Sequence, residues 1–340
     1  MKKIVIIGAG SMGSAFTLPC VDNRNRTFLI GTHLEDKLIN NLKKNYLHPL
    51  LKTKLPKKLT IEKFNKLDSI IKDADIIVGA VSSPGIDWFA NVLLKNYKKK
   101  HKIILLTKGL SVSKGNIITL TDKIKKIFSI NGIKNINISA IKGPCLAGEL
   151  ANRIRTGTVI ANSNIQNAKY LQKIISTKYY STEISNDIKG VELCGAIKNI
   201  YSMLIGASEG LSSANISQNI KKKYYNNTAA SLIHRSISEM SNFVEKFGGK
   251  SKTVYGLAGL GDLYVSVIGG RNSQMGKYLG EGYLFKSAKR KFMKKITVEG
   301  AQLAKEIGPT IFRKLKRNKF PLMFNILNTI CKNKKLNINW

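Results

Sequence analysis

With 340 residues, the chain is long enough for two domains of ordinary size. Its 43% apolar content supplies a buried core and argues against a disordered chain. Lys and Arg number 57 against 20 Asp and Glu, a formal net charge of +37. The lysines are spread along the whole chain among Asn and Ile, as drift in an AT-rich genome would leave them. They read as solvated surface, and neither a zinc-finger spacing nor an aromatic RNA-binding signature accompanies them, so no specific nucleic-acid partner is expected. A field of this sign still attracts anionic substrates and phosphorylated cofactors. Cys20, Cys145, Cys194 and Cys331 are far apart and form no C-x-x-C, which argues against a disulfide framework or a metal cluster and suits a reducing cytoplasm. The opening Met1-Lys2-Lys3 and its four apolar residues are too short for a signal-peptide core. No run of about eighteen apolar residues exists, so no membrane span is predicted.

Ile4, Val5, Ile6 and Ile7 are β-branched and predict a strand buried on both faces. Gly8, Gly10 and Gly13 come next in the spacing G-x-G-x-x-G, and Ser14 and Ala15 open a helix. Each glycine has a physical reason: Gly8 for the tight turn, Gly10 for the approach of a pyrophosphate, Gly13 for close helix–sheet packing. Phosphates would sit at the free N–H groups of the helix start. Strand before and helix after give the motif the context it needs to read as dinucleotide binding.

Thr27–Gly31 is the next predicted strand. About twenty residues past the glycines, an NAD site carries an acidic residue for the ribose 2′-hydroxyl. Gly31, Thr32 and His33 stand there, with Glu35 and Asp36 slightly later, so neither a carboxylate nor an arginine occupies the strand tip. NAD and NADP both remain open as the cofactor. Residues 43–66, rich in lysine with Pro49 and Pro56, read as a surface connection with a short strand near Leu59–Ile61. Further strands are predicted at Asp75–Val81, Lys102–Thr107, Asn137–Ile141, Thr156–Ala161 and Tyr180–Ile184. Strands alternating with helical patterns argue for a doubly wound α/β sheet.

The pattern changes near residue 186. Glu192–Glu209 reads as a long helix of small and apolar residues, broken by Gly195 and Gly206. From there to Trp340 the chain shows helical periodicity and glycine turns with few strand signals. The expected architecture is a Rossmann-type nucleotide domain over 1–187 and a mostly helical substrate domain over 188–340. Ala214–Tyr225, with Lys221–Lys223, reads as a long loop.

Three separated segments carry polar residues suited to chemistry: Lys108-Gly109 at a strand end, Lys198-Asn199 inside the long helix, and Gly256-Leu-Ala-Gly-Leu-Gly-Asp262 leading to Gly270-Arg271-Asn272. Together with Gly8–Gly13, Thr107–Leu110, Gly143–Glu149, Ala196–Ile200, Val298–Gly300 and Phe320–Met323, they run in order over essentially the whole chain. In these motifs the sequence resembles the soluble, nicotinamide-dependent glycerol-3-phosphate dehydrogenases.

The resemblance implies reversible reduction of dihydroxyacetone phosphate to sn-glycerol 3-phosphate with NADH or NADPH, and supply of the product to phospholipid synthesis. Family habit implies a homodimer. The resemblance also places Gly8, Gly10, Ser11, Met12, Gly13, Lys108, Ala147, Arg271 and Glu299 at the cofactor. Lys108, Lys198, Asn199, Asp262, Ser266, Arg271 and Asn272 fall at the substrate, with Lys198, Lys108 and Asp262 catalytic.

Physical chemistry agrees with these assignments. Reducing a ketone builds an alkoxide that needs a proton donor, and Lys198 sits among Leu193, Cys194, Ala196, Ile197 and Ile200 on a face that should be buried. Asp262 is placed to pair with that lysine. Arg271 offers a planar fork for phosphate. Cys145 departs from the family's Ser or Thr and donates more weakly. Ser82-Ser83-Pro84-Gly85 departs from the usual Pro-Ser-His. Two other readings stand beside this one: a two-domain reductase of a different keto or hydroxy acid, and a basic nucleotide-sensing or nucleic-acid-binding protein on the same fold. The intact lysines, Asp262 and Arg271 argue against the second.

Overall fold

The first strand, β1 (Lys3–Ile7), buries Ile4, Val5, Ile6 and Ile7 completely. Successive side chains point to opposite faces. Ile4 and Ile6 therefore join one apolar cluster with Phe16 and Leu29, while Val5 and Ile7 join another with Phe89 and Ile103. The computed structural model describes residues 1–214 and 225–338, and the chain divides into two compact units. One is 1–108 with 120–191, the other 109–119 with 192–340.

The first unit is built on β1, β2 (Arg26–Ile30), β3 (Thr60–Glu62), β4 (Ile76–Gly79), β5 (Lys102–Leu105), and, past a hairpin of the second unit, β8 (Ile138–Lys142), β9 (Thr156–Ala161) and β10 (Tyr180–Ser185). Their order in the sheet is β10-β9-β8-β5-β4-β1-β2-β3. Pairing is parallel throughout, with Val5 opposite both Phe28 and Ile77, except between β8 and β9. The order reverses between β1 and β4. That is the switch point at whose carboxyl edge open α/β sheets bind ligands. Helices α1 (Ser11–Asp22), α2 (Asp36–Asn45), α3 (Ile86–Asn96), α4 (Leu120–Ile130) and α5 (Ile165–Ile175) make the crossovers. The doubly wound sheet is as expected, with strand ends shifted by one or two residues. The lysine-rich connection holds one feature not anticipated, a short ladder of Leu47–His48 with Thr53–Lys54.

The second unit opens, in chain order, with the hairpin β6 (Leu110–Ser113) and β7 (Asn116–Thr119), which the sequence analysis does not anticipate. Lys114 and Gly115 turn it with positive φ at both positions, the twist that suits a two-residue hairpin. It lies against the helix Glu299–Lys314, whose Arg313 donates to the Gly115 carbonyl at 3.4 Å. Helix α6 (Ile188–Ala214) runs unbroken through Gly195 and Gly206, correcting the expected breaks. After it come α7 (Asn226–Lys246), α8 (Asp262–Val267), α9 (Arg271–Gly280), α10 (Phe285–Phe292), α11 (Glu299–Lys314) and α12 (Pro321–Cys331).

The α6 glycines serve packing. A Cβ on Gly206 would meet the Ser273 carbonyl at 2.3 Å, and one on Gly276 the Met203 carbonyl at 1.9 Å. Gly210 and Gly280 repeat the contact one turn along, at 2.2 Å each. Helices α6 and α9 thus touch backbone to backbone. Leu257–Gly261, within a stretch whose glycines suggest a turn, is a wide helical turn that runs into α8. The predicted loop Ala214–Tyr225 lies outside the described residues over 215–224. Among the described residues, no helix is long and apolar enough to cross a membrane.

Candidate active site

In the first unit, the turn after β1 has the shape a pyrophosphate needs. Gly8 adopts φ +110°, where a Cβ would strike the Ala80 carbonyl at 2.7 Å. A Cβ on Gly13 would lie 2.1 Å from the Gly8 carbonyl, whereas one on Gly10 would meet nothing within 4 Å. So two glycines close the turn and the third leaves open space. Ser11, Met12 and Gly13 begin α1, and the first bond of its ladder runs from Ser14 to Gly10 at 2.9 Å. The N–H groups of those three residues therefore have no acceptor within the helix and suit an anion. By this test the residues present fit a dinucleotide.

The turn is held from both sides at Ala9. Its carbonyl accepts from Ser14 Oγ at 2.9 Å and from His48 Nε2 at 3.1 Å. Its N–H donates to Glu35 Oε2 at 3.0 Å, and the Thr32 N–H donates to the same oxygen at 2.7 Å. His48 is fully buried, and its Nδ1 accepts from the Leu50 and Leu51 N–H groups at 3.3 and 3.2 Å. Those partners fix the Nε2–H tautomer. Burial holds the imidazole below its ordinary pKa.

Sequence reasoning missed His48. Its only sequence clue is the turn composition around it, since its partner is a backbone carbonyl 39 residues away. At the carboxyl edge, Lys108 comes after β5, is half-buried, and reaches the Gly143 carbonyl at 3.4 Å. Lys142, which no sequence motif marks, is buried and donates to the Leu105 carbonyl at 3.0 Å. Cys145 is half-buried and Ala147 opens a short helical turn, Ala147–Ala151.

In the second unit, Lys198 is 5% exposed on α6 and Asp262 is 1% exposed at the start of α8. Lys198 Nζ donates to Asp262 Oδ1 at 2.7 Å and also to Ser266 Oγ. Asp262 and Ser266 stand four apart on one helix face, which is why both reach the same ammonium. Ser266 Oγ in turn donates to the Asp262 carbonyl at 2.8 Å. The predicted Lys198–Asp262 pair is thus present, with Ser266 joined to it.

Asn199 neighbours Lys198 on α6, and its carbonyl lies against Gly300, where a Cβ would be 2.3 Å away. Asn272, 6% exposed, accepts from the Gly300 N–H at 2.8 Å through Oδ1, so its amide NH2 is the end able to meet a substrate oxygen. Arg271 is exposed and forms an ion pair with Glu299. Two of the residues expected at the cofactor are thus brought together. Among the described residues, no group of three or more His, Cys, Asp or Glu could hold a metal ion.

Comparison with known proteins matches both units. The family model described as NAD-dependent glycerol-3-phosphate dehydrogenase N-terminus matches residues 3–168, and the corresponding C-terminus model matches residues 187–338. A protein of Archaeoglobus fulgidus named NADP(+)-dependent glycerol-3-phosphate dehydrogenase is 31% identical over 82% of this chain and 80% of its own length. One of Mesoplasma florum named glycerol-3-phosphate dehydrogenase [NAD(P)+] is 29% identical over 96% and 93%. The crystal structure of glycerol-3-phosphate dehydrogenase from Coxiella burnetii superposes with a TM-score of 0.80 at 26% identity, covering 98% of this chain and 96% of that one. The chain belongs to the NAD-dependent glycerol-3-phosphate dehydrogenase family.

Proposed function

We propose that this protein interconverts dihydroxyacetone phosphate and sn-glycerol 3-phosphate with NAD or NADP. The observation that carries the proposal is the buried ammonium of Lys198, held at 2.7 Å by Asp262 and joined by Ser266. A nicotinamide held by the first unit would supply the hydride for the ketone carbon, or accept it in the reverse direction. Lys198 then donates a hydrogen bond, and finally a proton, to the ketone oxygen as negative charge grows on it. Asp262 holds the lysine head in place. In the oxidative direction, the amine of Lys198 takes the hydroxyl proton. Lys108 adds a second cation at the substrate oxygens. Asn199 hydrogen-bonds the substrate hydroxyls, and the NH2 of Asn272 meets the phosphate, whose charge Arg271 neutralises with its planar fork. Arg271 also serves the cofactor phosphates, beside Glu299, while Gly8, Gly10, Ser11, Met12, Gly13 and Ala147 line the dinucleotide.

On this reading, residues 1–187 bind the nucleotide and 188–340 the substrate. The product feeds phospholipid synthesis in the cytoplasm, and the working form is a homodimer. The test is nicotinamide oxidation at neutral pH with dihydroxyacetone phosphate, beside Lys198→Ala. Loss of its proton donor should slow turnover by about 10²–10⁴-fold. A folded wild-type protein that binds NADH yet turns over no dihydroxyacetone phosphate would exclude this substrate and direct the search to keto acids.

A further inference from the structure

In dinucleotide-binding sheets, the tip of the second strand carries the carboxylate that binds the adenosine ribose 2′-hydroxyl. Here β2 ends at Ile30 and the tip residue is Gly31, with Thr32 and His33 after it. The tip residue itself offers no carboxylate. A side chain at Gly31 would also meet Ile39 Cγ1 at 2.5 Å. Glu35, at the N-cap of α2, folds back toward that tip. Its Cβ lies 3.5 Å from where a Gly31 Cβ would be, and its Oε2 accepts from Thr32 N–H at the strand tip and from Ala9 N–H inside the glycine fingerprint. Both bonds use Oε2, and Oε1 accepts from no described residue. One carboxylate oxygen is thus anchored to the strand tip and to the glycine fingerprint, and the other is open to a hydroxyl donor.

We propose that Glu35 determines cofactor specificity by accepting from the ribose 2′-hydroxyl, so that the chain uses NAD in preference to NADP. The inference rests on the dinucleotide reading of the first unit. A 2′-phosphate brings two negative charges to the same carboxylate, and none of Gly31, Thr32 and His33 is an arginine or lysine that would offset them. This would set the chain apart from the Archaeoglobus fulgidus relative, whose name specifies NADP(+). The carboxylate reaches the tip from four residues further along the chain, so the sequence spacing alone hides it.

The experiment is equilibrium binding of NADH and NADPH by calorimetry, without substrate, to the wild type and to Glu35→Gln. The amide oxygen of glutamine keeps an acceptor for the two backbone N–H groups and removes the charge. The wild type should bind NADH at least about tenfold more tightly than NADPH, the scale of one charge-assisted hydrogen bond. In Glu35→Gln, NADH should weaken, NADPH should tighten, and the ratio should approach one. Equal wild-type affinities, or a variant that weakens both nucleotides alike, would make Glu35 only a latch for the loop and overturn the proposal. If neither nucleotide binds, the dinucleotide reading fails along with it. Failure to turn over dihydroxyacetone phosphate leaves these binding constants intact. Should the variant not fold, the wild-type ratio for ADP-ribose against its 2′-phosphate decides the same question.

Discussion

A lysine and an aspartate this deeply buried depend on each other. Lys198 and Asp262 are 5% and 1% exposed, so neither charge is relieved by water. Removing one partner of such a pair leaves the other uncompensated, at about 3–5 kcal/mol. We expect Asp262→Ala to lose stability on that scale in urea unfolding, together with nearly all activity. A loss under about 1 kcal/mol, the value of an exposed pair, would show that solvent reaches the lysine.

At His48 the sign of the pH effect is fixed by burial. The folded imidazole has a lowered pKa. Its stabilising share is therefore fully present above the unfolded value, about 6.5, and is lost as pH falls through the lowered folded value. The ring nitrogen shifts of His48 should still report the neutral Nε2–H form at pH 6. A ring that titrates at or above 6.5 would contradict the burial of His48, since the bond to Ala9 acts in the raising direction. Both residues show the limit of reading sequence at this scale. Lys198 was legible because its neighbours are apolar at helical spacing. His48 was not, because backbone carbonyls and amides leave no mark in sequence.

At the level of elements, the α6–α9 contact makes a test in which two effects oppose. Ala exceeds Gly in helix propensity by about 1 kcal/mol. At Gly276, however, a Cβ would sit 1.9 Å from the Met203 carbonyl, so two backbones must move apart. Overpacking of this kind costs about 1–3 kcal/mol, and more when backbone rather than side chain must shift. We expect Gly276→Ala to lower the melting temperature and, by displacing Asn272 and Arg271 at the start of α9, to raise KM for the phosphorylated substrate. An unchanged or higher melting temperature would mean the helices are free to slide. The same contact explains why Gly206 misled the sequence reading. A glycine weakens an isolated helix, but here its missing side chain admits a neighbouring helix whose packing outweighs that cost. The turn at Leu257–Gly261 has a related origin: its glycines are shaped by packing, and a Cβ on Gly259 would meet the Val254 carbonyl at 2.0 Å.

Across the whole molecule the parallel sheet was legible from its β-branched runs, because strands buried on both faces admit little else. Thr156–Ala161 matched to the residue. The β6–β7 hairpin was not legible, since its alternation of Leu110, Val112 and Ile117 is short and its packing partner is remote in sequence. The net charge of +37 also acts at this scale. Exposed ion pairs such as Lys43–Glu62 and Lys123–Asp87 contribute about 0–1 kcal/mol each, too few and too weak to balance the excess of lysine. Self-repulsion should dominate, so screening should help. Raising sodium chloride from about 0.02 to 0.5 M is expected to raise the melting temperature, since the Debye length shrinks severalfold over that range. A fall would place the ion pairs ahead of the repulsion.

The hairpin Leu110–Thr119 also bears on how the polypeptide is made. It is synthesised between two stretches of the first unit, yet the helix that covers it, Glu299–Lys314, leaves the ribosome far later. At about 5–20 residues per second, that helix emerges roughly ten to forty seconds behind. For that interval Leu110 and Ile117, both buried in the finished protein, lack that cover. Nor can one cut separate the two units. A fragment ending at residue 191 would carry the uncovered strands, and the remainder would lack them.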